Sequence, residues 1–383
     1  MSTPAFDREL SPGQFRSLFP ALQRWAWFDT PGSPPAAAPV SAVLRQTIDD
    51  WELGEFAWRD WDASVETARE AFAAFAGVDA ERVAALTSVA EGMATVVRAL
   101  PPGSVVVGDG EYRSMLYPLL ALDPERNPVI RVAARDGVVS DDRLIAAIRD
   151  DTVLLAVSDT LTSTGHRVDL DALRTATRAR GVRIAADLTQ SLGVLDHDLT
   201  ALDLDYVLVH GYKWLLCPRG TAWLIARPDA LEQLRPVLPS WKSTDPPYGY
   251  FGGELDLPST ASRLDTSPAW FSWIGANAAL QLRAQLRPAR VEQHCVGLAA
   301  RFTTELAGLG FHPIAESPRS HIVVTDLGST APAIAASLAG HHVRATVTGS
   351  RLRIGVHYFN DDEDLDRLLA VIRVGVSASR RTA

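Results

Sequence analysis

The sequence predicts an α/β chain built on a mostly parallel sheet of seven strands, with a smaller α+β domain at its C-terminal end. Short apolar runs rich in Val, Leu, Ile and Ala recur between residues 83 and 226, and helical stretches separate several of them. The rhythm then stops in a loop rich in Pro, Gly and aromatic residues around position 250. Continuous apolar strands joined by crossover helices call for a sheet covered on both faces, as parallel sheets are.

Taken in order, residues 1–45 read as an N-terminal segment packing on the small domain and the cleft. Residues 46–260 form the large domain, and residues 261–383 the small one. An alanine-rich helix spans Ala63 to Ala76, a composition of high helix propensity. The predicted strands are Val83 to Thr87, Ser104 to Val107, Val129 to Val132, Thr152 to Ser158, Val182 to Ala186, Tyr206 to Val209 and Ala222 to Ala226. Helices are expected at Gly92 to Leu100, Asp141 to Arg149 and Asp171 to Ala179. Ser240 to Thr260 is a long loop whose composition marks a functional connection. Beyond it, Ala269 to Leu309 is helical. Strands at His321 to Thr325 and Leu352 to Val356 flank a helix at Ala331 to Ala339, and a helix at Asp361 to Val374 closes the chain.

Composition excludes several classes of function. The chain has 383 residues, 47% of them hydrophobic, and a net charge of -9. That length supports a core larger than one typical domain. The acidic balance gives no electrostatic footprint for nucleic acid or an anionic membrane. Met1 to Leu10 lacks the basic-then-apolar layout of a signal peptide, and no apolar run approaches membrane-spanning length, so a cytoplasmic location is expected. Cys217 and Cys295 cannot build a disulfide framework, and no Cys/His cluster has metal-site spacing. No metal is expected.

The residues that carry chemistry lie around Lys213, in the run His210-Gly-Tyr-Lys-Trp-Leu-Leu-Cys-Pro-Arg-Gly220, and Asp187, in Ala186-Asp-Leu-Thr-Gln190. Asp187 closes an apolar run and so projects from the carboxyl end of a strand, the edge at which open parallel sheets bind ligands. Lys213 is followed by Trp214, Leu215 and Leu216, an apolar setting that lowers a lysine's proton affinity and makes its amine a Schiff-base former. A lysine for the aldehyde and an acid for the ring nitrogen are what pyridoxal 5'-phosphate requires of a protein.

Other runs extend this reading. Leu86-Thr-Ser-Val-Ala-Glu-Gly92 is a small-residue turn before a helix; it offers backbone N–H groups and a positive helix end to a phosphate at Ser88, Val89 and Ala90, although an ordinary strand-to-helix turn reads the same way. In Asp109-Gly-Glu-Tyr-Arg-Ser114, either Tyr112 or Arg113 is placed to lie over the cofactor ring; a solvated polar turn is the alternative. Asp159, which follows the run Thr152 to Ser158, is also placed among the cofactor-binding residues. Arg353, in Arg351-Leu-Arg-Ile-Gly-Val-His-Tyr-Phe-Asn360, is suited to a bidentate grip on a substrate carboxylate, unless it is a surface arginine of an edge strand.

From Phe28-Asp-Thr-Pro-Gly-Ser33 to the closing helix, the chain resembles the class V aminotransferase family of fold type I pyridoxal-phosphate enzymes. It looks closest to the branch of selenocysteine lyases, cysteine desulfurases and isopenicillin N epimerases. The resemblance implies that Lys213 bonds the cofactor, Asp187 partners its ring nitrogen and Gln190 donates to its phenolic oxygen. It places Val89, Ala90, His210 and Tyr212 at the phosphate and Arg353 at the substrate carboxylate. It also implies a homodimer with shared sites, in which Ser267 of Asp265-Thr-Ser-Pro268 reaches the neighbour's phosphate.

Departures from the family are informative. Where desulfurases carry a persulfide-forming cysteine after Gly-His-His, this chain has Gly340-His-His-Val-Arg344, and Val343 is no nucleophile. Tyr112 and Arg113 replace the ring-stacking histidine of many relatives. The expected activity is β-elimination of a cysteine S-conjugate, a carbon-sulfur lyase reaction in specialised metabolism, as in related enzymes of lincosamide antibiotic pathways. Decarboxylating oxidative deamination, transamination and epimerisation remain as alternatives on the same cofactor, and a catalytically silent paralogue is an alternative of another class. Trp27, Trp58, Trp61, Tyr248, Tyr250 and Phe251 are expected near the cleft, where they suit a bulky substrate unless they pack the core.

Overall fold

The computed structural model describes residues 9–382 except 245–248 and 318, with the side chains of 378–382 left aside. Tyr248, one of the aromatic residues expected near the cleft, lies outside the described residues.

The large domain is organised by one sheet of seven strands, in the spatial order Val83–Leu86, Ala222–Ala226, Tyr206–His210, Arg183–Asp187, Thr152–Ser158, Ser104–Gly108 and Val129–Val132. All pairings are parallel except those of Ala222–Ala226, which runs antiparallel to both neighbours. The strands next to Arg183–Asp187 are buried almost throughout, as a sheet covered on both faces requires. Gly92 shows how close the covering helix lies: a Cβ there would come within 2.8 Å of the Leu208 side chain and 3.1 Å of Leu86.

Boundaries moved where capping chemistry overrides apolar periodicity. The helix expected from Gly92 begins at Val89 and runs to Arg98, because the Ser88 hydroxyl caps it by accepting from the Glu91 N–H at 3.2 Å. The expected helix over 269–309 is two, Trp270–Arg283 and Pro288–Gly308, with Pro288 starting the second.

Elements beyond residue 260 pack on those before it. Trp270–Arg283 packs along Ala38–Leu53 and Trp58–Ala76, and the short turn Ala261–Leu264 packs on Val83–Leu86. Both bury apolar side chains in these contacts, among them Trp273, Ala276, Ala261 and Leu264. The same region carries a buried ion network: Arg69 pairs with Asp265 and Glu66, and Lys242 pairs with Asp62 at 3.1 Å. The Ala85 N–H also donates to Asp265 at 2.9 Å.

The small domain holds an antiparallel sheet of Thr346–Thr348, Arg351–Gly355 and Ile322–Asp326; Ala331–Leu338 packs on Thr346–Thr348 and against the closing helix Asp362–Thr382. The N-terminal segment is fastened to this domain. Ala26–Trp27 pairs in parallel with Val343–Arg344, Phe15 packs against His357 and Phe359, and Arg16 bridges to Asp364 at 2.7 Å.

Candidate active site

The carboxyl ends of adjacent strands converge on one cavity. Its walls include Tyr112 and Ser114 beyond Ser104–Gly108, Ser158, Thr160 and Thr162 at the end of Thr152–Ser158, and Asp187, Thr189 and Gln190 at the end of Arg183–Asp187. His210 and Lys213 come from the end of Tyr206–His210. Open α/β sheets bind ligands at this place.

Lys213 sits in a tight turn in which the Leu216 N–H donates back to the Lys213 carbonyl at 3.1 Å and Leu216 takes a left-handed φ of 62°. Such a conformation costs a branched residue about 1–2 kcal/mol, so the turn is held by its surroundings. Trp214, fully buried, supplies the hold. Its indole N–H donates to Gln190 Oε1 at 2.9 Å, its ring stacks on His357 at 5.6 Å, and it meets His321 edge-on at 4.4 Å. Burial pushes both histidines down to about 3, so they act as neutral packing groups.

The lysine is 5% exposed, with its Nζ 5.4 Å from the Tyr112 ring and 5.6 Å from the Tyr212 ring. Burial lowers its pKa from 10.5 to about 8; Asp187 opposes the shift, and Arg353 and Arg219 add to it. Asp187 shifts the other way, raised chiefly by burial, and accepts the Thr189 N–H at 2.9 Å.

At the far side of the cavity the Val89 N–H donates to His210 Nε2 at 3.3 Å, so the imidazole stands at the N-terminus of Val89–Arg98. Burial, then the charge of Lys213, pushes His210 down to about 4, which leaves it neutral. Arg219 lies 4.7 Å from the Tyr212 ring centre. A helix N-terminus with a guanidinium nearby is a setting for a phosphate. Gln190 is more committed than the sequence implied: it accepts from Trp214 and donates to the Pro31 carbonyl at 3.2 Å.

Arg353 lies within electrostatic reach of Lys213. Its Nη1 donates to Thr162 at 2.8 Å, and its Nη2 donates to Asp29 at 3.1 Å and to Thr346 at 3.3 Å. Its Nε is buried and unpaired. A buried donor without an acceptor costs about 1–3 kcal/mol, which an incoming carboxylate would recover.

Four expectations are placed differently. Asp159 does not line this cavity; its side chain turns to Arg167 and His197, each 3.6 Å away, in a separate pocket. Arg113 begins the helix Arg113–Leu120 and lies over Tyr117 instead, leaving Tyr112 as the residue facing Lys213. Trp58, Trp61 and Tyr250 cluster with Trp241, Trp270 and Phe271 elsewhere on the large domain, while Trp27 donates to the Ser33 carbonyl. Ser267 is exposed and outside the cavity.

Sequence reasoning passed over Asp29, Ser158, Thr160, Thr162 and Thr189, small polar residues on strand ends that no periodicity marks. It also passed over Glu111, which is 9% exposed and accepts from Ser158 N at 2.7 Å and Ser158 Oγ at 2.5 Å. Among the described residues no group of three or more His, Cys, Asp or Glu is placed to hold a metal ion. A buried amine of lowered basicity, a buried carboxylate beside it and a helix N-terminus fit an aldehyde-bearing pyridinium phosphate.

Residues 57–368 match the family described as aminotransferase class-V. An uncharacterized aminotransferase, YcbU, of Bacillus subtilis is 24% identical over 359 residues, 92% of this chain and 95% of that one. The isopenicillin N epimerase of Amycolatopsis lactamdurans is 27% identical over 371 residues, 88% of each chain. The crystal structure of the Escherichia coli cysteine desulfurase CsdA superposes with a TM-score of 0.83 at 20% identity, covering 96% of this chain and 99% of that one.

Proposed function

The chain belongs to the class-V aminotransferase family, and on that footing we propose that it cleaves the carbon-sulfur bond of a cysteine S-conjugate by β-elimination. It is a fold type I enzyme that uses pyridoxal 5'-phosphate to act on amino acids.

One observation carries the choice of elimination. The cavity holds a basic amine but no thiol, so sulfur leaving the substrate is released and not captured. Cys217 is 5% exposed and Cys295 fully buried, and burial pushes both thiols well above their ordinary range. Val343, where a desulfurase would carry its cysteine, is buried in the pairing with Ala26.

When bound, the cofactor supplies an electron-accepting ring conjugated to the substrate's α-carbon. Lys213 takes the α-proton, with a basicity suited to that task near neutral pH. Asp187 would hold the proton on the ring nitrogen, and the N–H groups at Val89 and Ala90, with His210 and Tyr212, would hold the phosphate once it replaces His210 as the acceptor of the Val89 N–H. Arg353 binds the substrate carboxylate. As the Cβ–S bond breaks, its electron pair leaves with sulfur as a thiolate. The three-carbon fragment takes up one water to give pyruvate and ammonia. Ser267, beside the buried Asp265, completes the phosphate site of a second copy in a homodimer.

A second reading is inversion at the α-carbon, favoured by the 27% identity to an isopenicillin N epimerase. Incubation of the purified holoprotein with S-substituted cysteines, followed by mass spectrometry, separates the two. A free thiol with pyruvate supports elimination; an inverted amino acid that retains its sulfur supports the second reading. An aldehyde with carbon dioxide, or an aminated cofactor, excludes both in favour of decarboxylating deamination or transamination.

A further inference from the structure

Glu111 has no role in the chemistry above, yet its buried carboxyl group bonds Ser158, one of the residues that line the cavity. It sits in the loop between Ser104–Gly108 and Arg113–Leu120, directly before Tyr112, the residue whose ring faces Lys213. Both its oxygens are engaged by one residue of another strand: Oε1 accepts from Ser158 N at 2.7 Å, and Oε2 from Ser158 Oγ at 2.5 Å. Ser158 is the sheet partner of Asp187. Two buried carboxyl groups from different elements are therefore linked through one sheet position, and the charge of Asp187 adds to the proton affinity of Glu111.

We propose that Glu111 is a positioning residue of the cofactor cavity. Its two bonds to Ser158 fix the loop that presents Tyr112, and its proton sets the field that Asp187 presents to the ring nitrogen. With Glu111 neutral, Asp187 is the single anion at the cavity floor and holds one proton on the ring nitrogen. With Glu111 ionised, a second negative charge behind Asp187 strengthens that hold and alters the absorbance of the bound cofactor. The other titratable groups facing this floor are Asp187, Lys213, His210 and Tyr112. Burial, opposed by the Ser158 bonds and reinforced by Asp187, moves Glu111 up to about 7, inside the range where the enzyme can be titrated.

The inference rests on the cavity around Lys213 being the cofactor site, and the experiment separates the two. The visible absorbance of the holoenzyme is titrated from pH 5.5 to 9 in the wild type and in Glu111→Gln, Ser158→Ala and Lys213→Ala. Glu111→Gln keeps the side-chain size and an acceptor for Ser158 N. It should remove the spectral step near neutrality, or move its midpoint by at least about half a pH unit, while circular dichroism and Tm stay near the wild-type values. Ser158→Ala removes a donor that favours the ionised carboxyl, so its midpoint should rise. It serves as the test if Glu111→Gln does not fold. A wild-type profile in both variants overturns the role of Glu111, as does a fall in Tm with no spectral change, since that describes a purely structural tie. Lys213→Ala can still bind the cofactor through its other contacts but not as an imine, so a lysine Schiff-base band that persists in that variant, with no added amine present, overturns the location of the site instead.

Discussion

Replacing the buried lysine should make the cofactor-free protein more stable. Lys213 is 5% exposed and its pKa falls from 10.5 to about 8, chiefly through burial. At 1.36 kcal/mol per pKa unit, that displacement means folding is opposed by about 3 kcal/mol whenever the amine is protonated in both states. The sign follows from proton counting. Below about pH 8 both folded and unfolded chains carry the proton and the full penalty applies. Between about pH 8 and 10.5 only the unfolded chain carries it, so stability rises with pH. Lys213→Met keeps the length and removes the charge, while forfeiting two ring contacts worth about 0.5–1 kcal/mol each. The apoprotein variant should therefore exceed the wild type by about 1–2 kcal/mol at pH 7, and the advantage should shrink by pH 9.5. Urea unfolding of both apoproteins at the two pH values measures this. A variant that is no more stable at pH 7, or an advantage independent of pH, would refute a desolvated amine as the cause.

Arg353→Ala should weaken substrates bearing an α-carboxylate by about 1.5–3 kcal/mol, the value of a charge-assisted hydrogen bond, while leaving the corresponding carboxamides unaffected; an equal loss for both would make Arg353 a purely structural group. The double variant Cys217→Ala with Cys295→Ala should retain thiol release from an S-conjugate, and its abolition would restore a persulfide route. Arg69→Ala leaves the Asp265 carboxyl buried without its guanidinium, for which chemical denaturation should show a loss of about 3–5 kcal/mol; a loss under 1 kcal/mol would mean that water or Lys242 compensates.

The sheet was legible because its strands are buried on both faces and so read as unbroken apolar runs; each of the seven expected strands overlaps an observed one. Lys213 and Asp187 were legible for the same reason, since an acid closing such a run has to project from the carboxyl edge. What escaped is long-range. Arg353 is engaged by Asp29 across 324 residues and by Thr162 across 191, and no local pattern signals such a meeting. Asp159 and Ser158 are neighbours on one strand end, yet alternation sends one to Arg167 and His197 and the other to the cavity. Glu111 looked like part of a solvated turn because burial of a short polar loop depends on the strand beside it. The aromatic residues show the converse limit: composition counted them, but which helix face each occupies put Trp58 and Trp61 with Trp270, away from Lys213.

The destabilising features of this site share one remedy. A buried amine opposes folding while it is charged, a buried carboxyl beside it has its proton affinity raised, and Arg353 Nε is enclosed without an acceptor. Around Lys213 the backbone also holds Leu216 in a left-handed conformation. Each would be a defect in a protein whose only task was to fold. On the proposed reading, a bound aldehyde would replace the lysine's ammonium with a less basic nitrogen, a pyridinium nitrogen would give Asp187 its cation, and a substrate carboxylate would give Arg353 its acceptor. Occupancy of the cavity and stability of the fold are therefore linked: whatever binds only the folded chain stabilises it by mass action. The apolar strands supply the excess of burial that lets these groups be held, and their carboxyl ends are where the excess is converted into chemistry.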